Sequence, residues 1–298
     1  MASAEIRRAR PLLGTFVEIT AIGPGPSELE TAAEAAFAAI AKVHRLMSFH
    51  EPASDVSRLN RAAATRPVRV DAWTWDVIAA ALDLNRRSHG AFDIAVAPLL
   101  QDAGLLPPTA ADRAGDGAMA GDSIEMLAGR RIRCRGVGMR IGLGGIAKGF
   151  AVDRAIAALR ARRVTTALVN AGGDLAGFGP KAWTVHIRDP RDPRETIGAI
   201  EIRDEALAST GGGFNPTALP LVARTAVFDP RTRVPADKVA GATVRAPSAM
   251  LADALTKLVM IDGESTAPLL TQFGASALMV GRDGDIRVTS CWQAPRAA

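Results

Sequence analysis

Strand-like and helix-like runs follow one another along this chain without a regular strand–helix rhythm. A doubly wound parallel sheet needs that rhythm, because each parallel strand returns through a crossover helix. The pattern therefore predicts an α+β fold. Residues 15–22 (TFVEITAI) are β-rich and stop at Gly23-Pro24-Gly25-Pro26, a strong turn signal. Ser27 and Glu30 read as a capping box. Leu29, Ala33, Phe37, Ile40 and Val43 then recur at helical spacing, predicting a helix to about Met47. Asp71 reads as the cap of a helix with Trp75, Ile78 and Leu82 on one face, ended by His89-Gly90. Residues 48–66 read as a loop with a short helical piece. Strands are expected at 68–70, around Ile132 and Met139, and at 166–170, 183–188, 197–203, 225–228 and 242–246. Helices are expected through Ile156 and Leu159 and from Pro247 to Met260. A closing hairpin pairs 277–280 with 286–289 around Asp283-Gly284. Residues 101–121, rich in Ala, Asp, Gly and Pro, read as a surface insertion in a single domain covering 1–298.

Composition removes whole classes of function. The chain has 298 residues, 48% of them apolar, so it can build a sizeable core and is not a disordered segment. Its net charge of +5 is small for this length, and its basic residues are scattered. A nucleic-acid binder would show a stronger, clustered excess. The densest basic run, Arg160-Ala161-Arg162-Arg163, falls at an expected helix C-terminus, where cations complement the dipole. Cys134 and Cys291 make no CxxC pair and no disulfide framework. The opening MASAEIRRAR lacks an apolar signal core, and no stretch approaches about 18 consecutive apolar residues, so a cytoplasmic protein outside the membrane is expected.

Single motifs leave the chemistry open. Gly142-Leu-Gly144-Gly145-Ile-Ala147 matches G-x-G-x-x-A and suggests a dinucleotide fingerprint, hence an NAD-dependent oxidoreductase. The next strand, however, runs into Asn170-Ala171-Gly172, with no acid to read a ribose. Lys148 is outside a P-loop frame. What survives is a set of backbone N–H groups able to face an anion. Asn170–Asp174 and Asp229-Pro230-Arg231-Thr232 read as turns. Asp253 and Lys257 share a helix face at i,i+4. The four histidines, His44, His50, His89 and His186, are scattered, with no H-E-x-x-H and no G-x-S-x-G, which disfavours a zinc site and an α/β-hydrolase.

In order along the chain, seven segments resemble one family. They are Arg10-Pro-Leu-Leu-Gly-Thr-Phe16; Met47-Ser48 through Asp55-Val-Ser-Arg-Leu-Asn60; and Gly90-Ala-Phe-Asp-Ile94 through Ala97-Pro98. Next come Leu143-Gly-Gly-Ile-Ala-Lys-Gly149 with Val152-Asp153, and Leu168-Val-Asn-Ala-Gly-Gly-Asp174. Asp229-Pro-Arg-Thr232 and Ala246-Pro-Ser-Ala-Met-Leu-Ala-Asp-Ala-Leu255 complete the set. Together they resemble the ApbE family, the FAD:protein FMN transferases.

The resemblance implies an α+β fold related to the T-fold, with two lobes around an FAD cleft. It implies transfer of FMN from FAD to a Thr or Ser hydroxyl of an acceptor flavoprotein, with AMP leaving and Mg²⁺ neutralising the pyrophosphate. The implied flavin contacts are His50, Ala91, Phe92, Asp93, Gly144, Lys148, Gly172, Gly173 and Asp174. The implied metal ligands are Asp253 and the carbonyl of Gly145. Asp253 and Lys257 carry the implied catalytic positions. No nucleic acid or membrane partner is implied.

Five positions depart from the family's pattern. Ala226 stands where a histidine is common, Lys257 where a metal-ligating threonine follows Asp253, and Gly142 where an aspartate opens the glycine motif. His50 stands at a usual tyrosine position, and Arg233 at the glycine after D-P-R-T. Two readings follow. Lys257 supplies a fixed charge to the pyrophosphate, aided by Arg231 or Arg233, and transfer continues. Alternatively, the site binds FAD without turning it over.

Overall fold

A computed structural model describes residues 4–23, 25–108, 123–135, 138–192, 194–211 and 225–292. The chain falls into two compact units. The first takes Met1–His44, Lys148–Phe214 and Lys238–Ala298; the second takes Arg45–Ala147 and Asn215–Asp237.

The first unit is organised by one eight-stranded sheet. Its strands, in spatial order, are Ala4–Leu12, Thr15–Gly23, Thr166–Ala171, Asp174–Phe178, Glu205–Gly211, Gly241–Ala246, Ser276–Val280 and Ile286–Val288. Every adjacent pair is antiparallel. This confirms the α+β expectation. It also removes the structural context of the G-x-G-x-x-A match, which needs a parallel strand–helix–strand unit. Residues 139–143, ahead of the glycines, form no strand.

The helix Pro26–Met47 buries Leu29, Ala33, Phe37, Ile40 and Val43, the stripe read from the sequence. The capping box is not realised. Pro26 already lies inside the first turn, so Ser27 is helical and its carbonyl accepts from Thr31 Oγ1. A separate hairpin, Trp183–Arg188 with Thr196–Ile202, carries Trp183, Ile187, Ile200 and Ile202 into a cluster with Leu175, Leu207, Leu278 and Val280.

Two helices of this unit, Ala147–Arg160 and Ala249–Asp262, hold each other's starts. Asp153 on the first accepts the N–H groups of Ala249 (2.8 Å) and Met250 (2.9 Å) on the second. Asp253 on the second accepts the Gly149 N–H of the first at 3.1 Å. Each carboxylate thus satisfies orphan amides at the positive end of the other helix. The approach is close enough to demand glycine: a Cβ on Gly149 would lie 2.0 Å from the Ala249 carbonyl oxygen. Ser248 adds an N-cap, accepting from Leu251 N–H.

The second unit holds the helices Asp55–Ala62, Ala72–Arg87 and Ala97–Asp102, the 3₁₀ turn Ile94–Val96, and a three-stranded sheet. That sheet orders Val68–Arg69, Arg131–Cys134 and Ile124–Leu127. Asp71 caps Ala72–Arg87 through the Trp73 N–H, as its position predicts. The helix ends before His89 (φ 50°) and Gly90 (φ 80°). Met139 lies in no strand, and the strand expected at 225–228 reduces to Phe228–Asp229, paired with Val234–Pro235. Of the expected insertion, 101–102 finish the helix Ala97–Asp102, and 109–121 lie outside the described residues. Cys134 is buried, Cys291 is exposed, and both are free thiols.

Candidate functional site

The first unit gathers four of the expected site residues into one charged cluster. Strands Thr166–Ala171 and Asp174–Phe178 are joined by Gly172 (φ 66°) and Gly173 (φ 101°). Two successive left-handed residues make the tight turn that antiparallel strands need, and glycine adopts them without Cβ strain. Asn170 Oδ1 locks the turn by accepting the Gly173 N–H at 2.9 Å. The turn delivers Asp174, fully buried, and its Oδ2 accepts from Lys148 Nζ. The other oxygen, Oδ1, is buried and has no hydrogen-bond partner among the described residues. Lys148 keeps 35% of its side chain exposed.

Asp253 stands on the first turns of Ala249–Asp262 and is also fully buried. Its Oδ2 accepts the Gly149 N–H, and its Oδ1 accepts Lys257 Nζ. Lys257 Nζ further approaches the Asp253 carbonyl at 3.0 Å, Thr256 Oγ1 at 3.1 Å and Thr210 Oγ1 at 3.3 Å. Thr256 Oγ1 donates to the Asp253 carbonyl at 2.7 Å, so the Thr210–Thr256 contact, also 2.7 Å, is donated by Thr210.

The electrostatics separate the two carboxylates. Burial raises the Asp174 carboxyl, the charge of Asp253 raises it further, and Lys148 and Lys257 only partly offset this, so it is pushed up to about 6. Burial also works against ionised Asp253, but Lys257, Lys148 and the Gly149 N–H outweigh it and hold its pKa below the ordinary value. Burial lowers Lys148, yet Asp253 and Asp174 reverse this and its ammonium is held above its ordinary pKa. Burial pushes the helix-bridging Asp153 up to about 6, against the pull of the Met250 and Ala249 amides.

A divalent ion on Asp253 would have to share Oδ1 with an ammonium, which carries like charge and has no lone pair to give. The donor set around Asp253 therefore does not fit Mg²⁺. Among the described residues, no three His, Cys, Asp or Glu side chains are grouped to hold a metal.

The remaining expected residues lie in the second unit. Ala91, Phe92 and Asp93 are buried. Asn85 Nδ2 donates to the Phe92 carbonyl (2.8 Å), and the Phe92 N–H donates to Ser88 Oγ (3.0 Å). Asp93 caps the Ile94–Val96 turn by accepting the Ala95 N–H at 2.7 Å. The Gly142 N–H donates to the Ile94 carbonyl at 2.7 Å, which fastens the glycine motif beside this segment. Asn60 bonds both the N–H and the carbonyl of Ile141. Gly144 is exposed, Gly145 half-buried, and both sit in a turn closed by Ile146 and Ala147 amides on the Leu143 carbonyl. His50 is exposed, its N–H donated to Ser48 Oγ. Arg231 is paired with Asp229, and Arg233 adopts φ 63°. Ala226 is exposed and brings no titratable group.

Thr210 and Thr256 escaped the sequence reading. Thr256 had a local signal, since it adjoins Lys257 on the helix. Thr210 had none, because it meets Thr256 across 46 residues of chain.

The geometry can be set beside known proteins. Residues 13–289 match the model of the ApbE family. An FAD:protein FMN transferase of Klebsiella pneumoniae is 27% identical over 302 residues, covering 95% of this chain and 86% of that protein. One from Treponema pallidum is 26% identical, covering 96% and 87%. The crystal structure of the ApbE protein of Thermotoga maritima aligns with TM-score 0.82 and 27% identity over 96% of this chain and 97% of that one. The apo flavinyl transferase ApbE of Pseudomonas stutzeri aligns with TM-score 0.81 and 25% identity over 97% and 96%. The chain belongs to the ApbE family.

Proposed function

We propose that the protein is an FAD:protein FMN transferase. The hydroxyl of a Thr or Ser on an acceptor flavoprotein attacks the FMN phosphorus of FAD. The bond from that phosphorus to the oxygen of the AMP moiety breaks, and AMP leaves. The acceptor keeps FMN as a phosphoester, and the hydroxyl proton passes to solvent or to the leaving group. The observation that carries this reading is Lys148, whose ammonium is fixed on Asp174 at the end of a two-glycine turn and whose side chain is 35% exposed. It suits a pyrophosphate oxygen, since an ammonium neutralises phosphate as a point charge with donors to spare. Gly172, Gly173 and Asp174 would then flank the phosphates. In the second unit, Ala91, Phe92 and Asp93, with the Gly144-Gly145 turn, are the proposed flavin-side contacts, joined by His50.

A second reading, FAD binding without transfer, draws on Ala226. An exposed methyl group cannot take the proton of an attacking hydroxyl. One incubation separates the two. The protein is given FAD and an acceptor flavoprotein, with and without Mg²⁺; AMP is resolved by chromatography, FMN on the acceptor is read by its fluorescence in a denaturing gel, and FAD binding is followed by flavin fluorescence. Transfer chemistry predicts one AMP released for each FMN fixed on the acceptor. FAD bound without AMP supports the second reading, and no FAD binding defeats both.

A further inference from the structure

We propose that the Lys257 ammonium is a built-in cation that closes the Asp253 position to free metal ions and removes its need for one. The case starts from the shape of the oxygen set. One helical turn supplies Asp253 Oδ1, the Asp253 carbonyl and Thr256 Oγ1, and a neighbouring strand supplies Thr210 Oγ1. A carboxylate, a carbonyl and two hydroxyls are the hard oxygens that hold a small divalent cation. Here all of them surround one Nζ. The ammonium has three protons for four oxygens, so no donor is left over for an outside group. Lys257 is 17% exposed at its side chain and Asp253 0%, so the pair is sheltered from water.

Charge points the same way. Lys148, Asp174, Asp253 and Lys257 sum to zero. A divalent ion added on Asp253 would leave two uncompensated charges in a buried cluster. Beside a fixed ammonium about 4 Å away, it would also be repelled; at an effective dielectric of 20 the repulsion far exceeds a hundredfold in affinity, which is therefore a floor. The second oxygen of Asp253 offers no escape, since it is held by the Gly149 N–H, which also fixes where the helix Ala147–Arg160 begins.

The inference rests on the proposed transferase reading only for its catalytic consequence: AMP release without a divalent ion at this position. The ion-site part stands apart from it and is tested by binding. Mn²⁺ is titrated into the protein and followed by electron paramagnetic resonance, with melting temperature measured in the presence and absence of Mg²⁺. The wild type should show no saturable Mn²⁺ site that depends on Asp253, and no Mg²⁺-dependent rise in melting temperature. Lys257→Thr should gain an Mn²⁺ site on the order of a hundredfold tighter than any binding by the wild type, and its melting temperature should rise with Mg²⁺. Lys257→Met keeps the chain length without the charge and guards against a folding failure of the threonine variant; it too should gain Mn²⁺ affinity. Saturable Mn²⁺ binding by the wild type that Asp253→Asn abolishes would overturn the proposal, and so would equal Mn²⁺ affinity in the wild type and both folded variants. Wild-type AMP release should survive EDTA, and its abolition by EDTA would also overturn it. If no AMP is released under any condition, the transferase reading fails and the Mn²⁺ measurement alone decides the cation question.

Discussion

The two ends of the charged cluster are built to different standards. On the helix Ala249–Asp262, both oxygens of Asp253 have donors, and Lys257 is ringed by acceptors. On the hairpin Thr166–Phe178, Asp174 has one oxygen on Lys148 and one buried with no partner among the described residues. The first end is saturated from within the chain. The second keeps spare capacity on both partners. A buried polar atom left unpaired costs stability, and proteins retain such costs at sites that bind or react. On the proposed function, the Asp253 end supports the site and the Lys148–Asp174 end meets the ligand.

Removing one charge from the saturated end should cost most. Asp253→Leu leaves a sheltered ammonium without its counter-charge and the Gly149 N–H without its acceptor. The expected loss is about 3–5 kcal/mol, the usual cost of breaking a buried pair from one side. The double variant Asp253→Leu/Lys257→Met replaces the pair with apolar groups and should recover most of that loss. Urea denaturation of the three proteins measures it. A single variant no less stable than the double would show that the pair is not energetically closed.

The open end should show itself in pH. The folded-state pKa of Asp174 is raised to about 6 by burial and Asp253. Its stabilising contribution is therefore full below about pH 4, where the unfolded chain is also protonated, and is lost as pH rises through about 6. Asp253 runs the other way: its pKa is lowered, so its contribution is present above about pH 4 and lost on further acidification. Asp174→Asn should remove part of the decline in unfolding free energy between about pH 4 and 6, on the order of 1–2 kcal/mol. Asp153, also raised to about 6, leaves a residual slope in that window. An unchanged slope in Asp174→Asn would mean that the two ends do not differ as the hydrogen bonds imply.

The sequence announced the parts of this arrangement that are local. Ser248 caps the helix that carries Asp253 and Lys257, and helical spacing alone puts those two on one face. The glycines at 172 and 173 mark their own turn. The strand Trp183–Arg188 was legible to the residue because Trp, Val and Ile alternate with polar side chains. The strands Ala4–Leu12 and Glu205–Gly211 were not. The first is a sheet edge whose Arg7, Arg8 and Arg10 face water, and charge on an edge protects it while hiding its β character. After Glu205, the second is built of Ala, Ser, Thr and Gly around one Leu, and only its neighbours on both sides make it a strand. The reciprocal caps of Asp153 and Asp253 span about a hundred residues, and no local pattern encodes contacts of that range.

A charge or a backbone conformation can be absorbed by its surroundings, as the Lys257 ammonium is, or left as strain. Arg233 tests the second outcome in the other unit, on a smaller scale. It closes the Asp229–Thr232 turn, with its N–H donated to the Asp229 carbonyl at 2.7 Å, and holds φ at 63°. A residue with a Cβ pays about 1–2 kcal/mol for that conformation, and glycine does not. Glycine also adds freedom to the unfolded chain, which takes back part of the gain. Arg233→Gly should therefore stabilise the protein by about 0.5–1 kcal/mol, read as a higher urea midpoint at unchanged slope. The exposed Arg233 side chain gives up its own contacts in the exchange, so a fall in the midpoint would mean that they outweigh the backbone strain. Arg233 would then belong with Lys257 as a residue its surroundings have absorbed.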